Sequence, residues 1–309
     1  MGHRGRRADR EVNRRTGALR SVLFAAALIV PAAALAAEPR MAGPVGVPSG
    51  PEREQVWWVP MVPPRGDAPL HLVTTVYRPP GEGPFPLAIV NHGSPRDAAD
   101  RRKQERDPMR AQARWFVGRG FAVAVPMRRG YGASEGDFSE GFGPCDAADF
   151  YAGGRAAAAD IGAVLAFFRF HAFVDPNRIV LAGQSAGGWG VLAVASQNPE
   201  GVVAIVNFAG GRGSPAPDQN CSALRLIEAA GAFGRTARIP SLWIYTENDR
   251  YVGPALSIRM AAAYRDSGGR AEFHLLPPFG SDGHALFARA VDRWGPLVQP
   301  FLAARGLIR

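Results

Sequence analysis

The 309-residue sequence predicts an α/β fold: a mostly parallel sheet of about eight strands with helices on both faces and no large cap domain. Three observations carry this. Short continuous apolar runs recur, such as PLAIVNHG (86–93), FAVAVPM (121–127) and RIVLAGQ (178–184). Runs without polar alternation are what strands buried on both faces require. Helical stretches separate them, as a parallel sheet covered on both sides demands. The connection over 211–222 is too short to hold a cap domain.

In chain order, QVWWVPMV (55–62) and LHLVTTVYRP (70–79), joined by the turn PPRGDAP, read as an antiparallel opening pair. The run at 86–93 follows, then a helix over 109–117, the strand at 121–127 and a long alanine-rich helix over 148–170. RIVLAGQ leads into a helix over 186–196, and VVAIVNFAG (202–210) is the next strand. A helix near 223–230, PSLWIYTEN (240–248), a helix over 255–266, AEFHLLP (271–277) and a final helix over 285–304 complete the pattern. The catalytic domain is expected over 55–309, after a flexible, unperiodic lead-in of Pro, Gly and small residues over 38–54.

The amino terminus predicts export. Residues 21–37 (SVLFAAALIVPAAALAA) follow a run of arginines, are broken by Pro31 and close on Ala34-Leu35-Ala36. That is the layout of a signal peptide over 1–37, cleaved near Ala36 or Ala37. A retained anchor is the alternative, but a span needs about 20 apolar residues, and Glu38-Pro39 stand where stop-transfer charges would be. Arg14-Arg15 leaves open a twin-arginine route. The mature protein is therefore expected in the periplasm or the medium, without a stable membrane anchor.

The net charge of +9 does not indicate nucleic acid, because seven arginines of the leader stand against only Asp9 and Glu11. The remaining basic residues are scattered and form no stripe.

Gly183-Gln184-Ser185-Ala186-Gly187 is a G-x-S-x-G element between a predicted strand and a predicted helix, the context of a nucleophile elbow. Serine needs a base to take its proton and a carboxylate to orient that base. Asp249, just after the strand at 240–248, and His284, in the loop FGSDGHALF, fall in the required order. Glu247 and Asp282 are the alternative acids. His274 reads as a packed strand residue, and His71 and His171 miss the relevant loops. Two backbone donors must hold the oxyanion of acyl transfer. The amide of Ala186 is one, and the amide of Ser94, in Asn91-His92-Gly93-Ser94, the other, with His92 holding the loop structurally.

From residue 55 to 302 the chain resembles α/β-hydrolases of the dienelactone hydrolase-like and prolyl-oligopeptidase-like branch. NHGS, RRGYGASEG, GQSAGGWG, ENDRYV and the Gly-His before the last helix carry the resemblance. Dienelactone hydrolases proper have cysteine at the elbow, where this chain has Ser185. The resemblance therefore implies ester hydrolysis broadly rather than the dienelactone substrate. It implies no metal or organic cofactor and a small-molecule ester as partner; a serine peptidase of prolyl-oligopeptidase type and a non-catalytic binding protein on the same scaffold are the alternatives.

The loops after the fourth and sixth strands, 130–154 and 210–223, are expected on the rim of the site. A disulfide between Cys145 and Cys221 would tie them together, two free thiols being the alternative. Trp189 and Tyr251, with Phe138, Phe142 and Tyr151, are candidates to line the substrate pocket.

Overall fold

The computed structural model describes residues 41–63, 68–106 and 109–308. The signal peptide expected over 1–37 lies outside them. Nine strands form one sheet: β1 (Gly43–Ser49), β2 (Glu54–Met61), β3 (Leu70–Tyr77), β4 (Phe85–Asn91), β5 (Ala122–Pro126), β6 (Val174–Gln184), β7 (Val202–Phe208), β8 (Ser241–Thr246) and β9 (Ala271–Leu276). Their order is β1-β2-β3-β5-β4-β6-β7-β8-β9. The first three pair antiparallel, β3 meets β5 antiparallel, and every pair from β5 to β9 is parallel.

The eight expected strands are all present, and β1 is a correction to the expectation of a flexible lead-in over 38–54. Its glycines and prolines hide it from any period-two pattern, and six of its seven residues are exposed. It exists through its pairing with β2, from Gly43 opposite Trp58 to Ser49 opposite Glu54. Prolines are tolerated there because an edge strand has one side free of ladder bonds.

Alternate residues of the parallel strands enter two separate cores. Leu87 and Ile89 of β4, with Trp243 and Tyr245 of β8, join one core with α3 (Phe150–Phe168), α4 (Ala186–Ala195), α5 (Ala223–Gly234) and α6 (Pro254–Asp266). Ala88, Val90, Leu242 and Ile244 point the other way, onto residues of α2 (Arg110–Val117), α7 (Leu286–Arg289) and α8 (Val291–Ala303). This double burial is why these strands read as uninterrupted apolar runs. In β2 inward and outward residues alternate instead, with only every second residue fully buried.

A short helix α1 (Ala98–Lys103), capped by the Asp97 side chain, fills the polar loop after β4. The final helix expected over 285–304 is split into α7 and α8 at Ala290. No helix among the described residues is long and apolar enough to cross a membrane.

Candidate active site

Ser185 sits between β6 and α4 with φ 54° and ψ −119°. L-residues avoid this region of backbone space, and such strain persists only where the surroundings over-determine it. Here a Cβ on Gly183 would stand 2.5 Å from the carbonyl carbon of Gly187, and one on Gly187 would stand 2.5 Å from the carbonyl oxygen of His92. Only glycines let strand, helix and the loop after β4 approach this closely. The Ser185 amide donates to the carbonyl of Phe208 at 3.0 Å, and its carbonyl accepts from Trp189 at 2.9 Å and from Gly211 at 3.2 Å.

His284 lies in the loop after β9, its Nδ1 3.0 and 3.1 Å from the two carboxylate oxygens of Asp249. A carboxylate beside Nδ1 selects the tautomer of the neutral ring that is protonated there, and in that tautomer Nε2 is the acceptor. Asp249, after β8, is in turn fixed by the amides of Tyr251 and Val252, each donating to Oδ1 at 2.8 Å. Of the alternative acids, Glu247 is exposed. Asp282 shapes the loop by accepting from the amide of His284 at 3.0 Å. Sequence reasoning missed two residues that hold this loop. Gln184 donates its side-chain amide to the carbonyl of His284 at 2.7 Å. Asn248 bonds the backbone of Phe279 and Gly280.

Ser185, His284, Ala186 and Ser94 all line one cavity of about 620 Å³. As the first residue of α4, Ala186 has an amide outside the helix's own ladder. His92, next to the Ser94 loop, is fully buried, with Nδ1 2.6 Å from the Gly93 carbonyl and Nε2 accepting from the Arg128 amide at 3.4 Å. Burial, and then the neighbouring Arg128 charge, hold it neutral with a pKa of about 3. It is a structural histidine.

Arg128 follows β5 and is also fully buried; it donates to the carbonyl of His92 at 2.9 Å. Its guanidinium and that of Arg212 both bind the carboxylate of Glu140, which also accepts from Tyr131 Oη at 3.1 Å. Burial alone would push Glu140 up, but the two guanidiniums hold it down at about 2. No periodicity marks Glu140 or Arg212, which stand in loops, and no sequence signal pointed to this cluster.

The rim is tied as expected. Cys145 and Cys221 form a disulfide with Cα atoms 5.0 Å apart, and both line the cavity. Tyr251, Phe138 and Phe142 also line it. Trp189 does not, which corrects its place among the substrate-binding candidates. It is fully buried, its ring N–H donates to the carbonyl of Phe150 at 2.8 Å, and its ring packs on Phe233. Every residue of α4 is buried, so an aromatic there joins α4 to α3 rather than facing solvent. Tyr151 likewise stacks on Phe233, away from the cavity lining. A larger surface groove of about 1000 Å³ between α2 and α8 includes none of these site residues.

Comparison with known proteins agrees with this architecture. Over 86% of its length the chain matches 88% of the acetyl xylan esterase of Paenibacillus sp. R4, with a TM-score of 0.60 and 15% identity. It matches an esterase of Pyrococcus furiosus with a TM-score of 0.57 and 14% identity, covering 86% of this chain and 98% of that one. For Thermogutta terrifontis esterase 2, solved phosphorylated by paraoxon, the values are 0.56 and 18%, covering 85% and 98%. The chain has the α/β-hydrolase fold. A family model described as X-Pro dipeptidyl-peptidase (S15 family) matches residues 67–215 of the chain. The match includes the elbow but ends before Asp249 and His284. No curated protein sequence matches the chain.

Proposed function

We propose that this α/β-hydrolase is an exported serine hydrolase that cleaves carboxylic esters through an acyl-enzyme. The observation that supports it most is His284, held by Asp249 at 3.0 Å on the rim of a cavity that also contains the strained Ser185. In this reading Ser185 Oγ attacks the ester carbonyl carbon and its proton passes to Nε2 of His284. The imidazolium is steadied by Asp249, and the amides of Ala186 and Ser94 hold the oxyanion. Collapse breaks the bond to the alkoxide, which takes the proton back from His284. Water then repeats the sequence on the acyl-enzyme, releasing the acid and restoring the serine. The residues that do this need no cofactor. The disulfide between Cys145 and Cys221 is compatible with an oxidising compartment outside the cytoplasm.

The S15 match favours a second reading, release of a dipeptide from a peptide's amino terminus. Against it, the cavity is lined by Arg96, Arg101 and Arg212 and, among the described residues, by no carboxylate. A protonated amino terminus would meet charges of its own sign.

The test compares wild type with Ser185→Ala for hydrolysis of 4-nitrophenyl butanoate and labelling by a fluorophosphonate. Wild type is expected to do both, and the variant to lose turnover by as much as a million-fold, with no label at residue 185. Turnover that survives in the variant overturns the reading. Faster release of 4-nitroaniline from Gly-Pro-4-nitroanilide than of 4-nitrophenol from the ester would transfer it to the peptidase.

A further inference from the structure

The cavity at Ser185 has a one-sided charge. Arg96, Arg101 and Arg212 line it, and among the described residues no Asp or Glu does. Arg96 stands 5.6 Å over the ring of Tyr251 and Arg101 3.8 Å over that of Phe138. Among the described residues neither forms an ion pair, although Arg102 and Lys103, next to Arg101 on α1, face Asp137 and Asp100.

Arg212 makes the case sharper. It is buried, and among the described residues the only carboxylate it reaches is Glu140, which it shares with the fully buried Arg128. The other carboxylates nearby are taken: Asp160 by Arg129 at 2.6 Å, and Asp249 by His284 and two amides. Two buried guanidiniums thus share one negative charge, and the Nε of Arg212 has no hydrogen-bond partner. Buried charges are normally compensated, and Arg212 is the member of the set that borders the cavity. The guanidinium fork fits a carboxylate with two parallel bonds. A volume of about 620 Å³ accommodates an ester together with a second functional group.

Resting on the esterase reading, we propose that the substrate is an ester bearing a carboxylate, whose charge is received by Arg212 together with Arg96 and Arg101. The carboxylate belongs either to the acyl part or to the alcohol part, and two matched pairs separate these: mono-4-nitrophenyl adipate against 4-nitrophenyl hexanoate, and 3-carboxyphenyl hexanoate against phenyl hexanoate. Binding to Ser185→Ala is measured by calorimetry, and kcat/KM with wild type.

In at least one pair the charged ester is expected to bind roughly tenfold tighter or better, the scale of a charge-assisted bond, and to be turned over correspondingly faster. The preference should shrink in Arg96→Gln/Arg101→Gln, which breaks no ion pair, and vanish in Arg212→Gln. Should Arg212→Gln fail to fold, the double variant decides. Equal binding within both pairs overturns the proposal, as does a preference untouched in the variants that fold. Turnover without preference removes the anion site and keeps the esterase. Binding preference without turnover by wild type removes the esterase and keeps the anion site.

Discussion

The pair His284–Asp249 and the cluster Arg128–Glu140–Arg212 both border the cavity at Ser185, and each is built around a carboxylate buried to the same degree. They differ in what surrounds the carboxylate. Asp249 has one imidazole on its free side and two backbone amides behind it, and the imidazole is part-exposed to the cavity. Glu140 is enclosed by two guanidiniums and a tyrosine hydroxyl. The first arrangement leaves a nitrogen free to exchange a proton. The second locks the loops after β5 and β7 to each other and, through Arg128 and the His92 carbonyl, to the loop carrying Ser94. On the esterase reading one carboxylate serves the chemistry and the other holds position.

Conservative amide substitutions should separate the two most strongly. Asp249→Asn keeps an oxygen for the amides of Tyr251 and Val252, so its unfolding free energy should stay within about 1 kcal/mol of wild type. Its kcat should fall on the order of ten-thousand-fold, because the imidazole loses its orienting charge. Glu140→Gln leaves two buried guanidiniums without a counter-charge and should cost about 3–5 kcal/mol of stability. Urea unfolding and ester turnover on both variants check this. A destabilised Asp249→Asn with full activity, beside a stable but inactive Glu140→Gln, would reverse the assignment of roles.

The two clusters also differed in how readable they were. Ser185 and Asp249 follow continuous apolar strands, and His284 stands before a helix, so topology located them. The S15 model, ending at residue 215, covers only the first. Glu140 and Arg212 stand in irregular loops, where neither period nor turn chemistry indicates which charge meets which. Trp189 was misplaced because an aromatic just after the elbow looks near the chemistry along the chain, whereas the helix turns it into the core. β1 was missed because a glycine- and proline-rich edge strand is specified by its partner, not by its own pattern. What periodicity encodes was legible, and what long-range pairing decides was not.

The disulfide offers a smaller perturbation of the same rim. Cys145 and Cys221 are 76 residues apart in sequence, so the bridge restricts a long loop of the unfolded chain. Chain entropy then predicts a loss of about 4–5 kcal/mol for Cys145→Ser/Cys221→Ser. The Arg212–Glu140 contact and the bond from Ser214 Oγ to the Tyr251 carbonyl at 2.6 Å still hold the second loop. Activity at 25 °C should therefore change less than fivefold while the thermal midpoint falls. Loss of turnover in a variant that remains folded would mean that the bridge itself, rather than the ion cluster, positions the rim.

The smallest effect is one of cancellation. His92 is held at about 3 against an ordinary 6.5, so its contribution is complete above pH 6.5 and is lost as the pH falls toward 3. Glu140, at about 2 against 4.5, contributes fully above 4.5 and loses that contribution below it. Asp160 runs the other way: burial pushes it up to about 6 from 3.8, against the pull of Arg129, so folding gains as the pH drops through that window. Between pH 6 and 4.5 the His92 loss and the Asp160 gain oppose each other, and stability should be nearly flat. Below 3.8 the Asp160 gain is complete, and His92 and Glu140 both lose their contribution as the pH falls. Two protons then give a slope of about 2.7 kcal/mol per pH unit. Urea midpoints from pH 7 to 3 test the shape, and His92→Asn removes one member of the balance. That variant should gain stability on acidification from pH 6 to 4.5, relative to its own value at pH 7. A wild-type curve that declines steadily from pH 6.5 would mean that Asp160 is ionised throughout, with Arg129 outweighing burial.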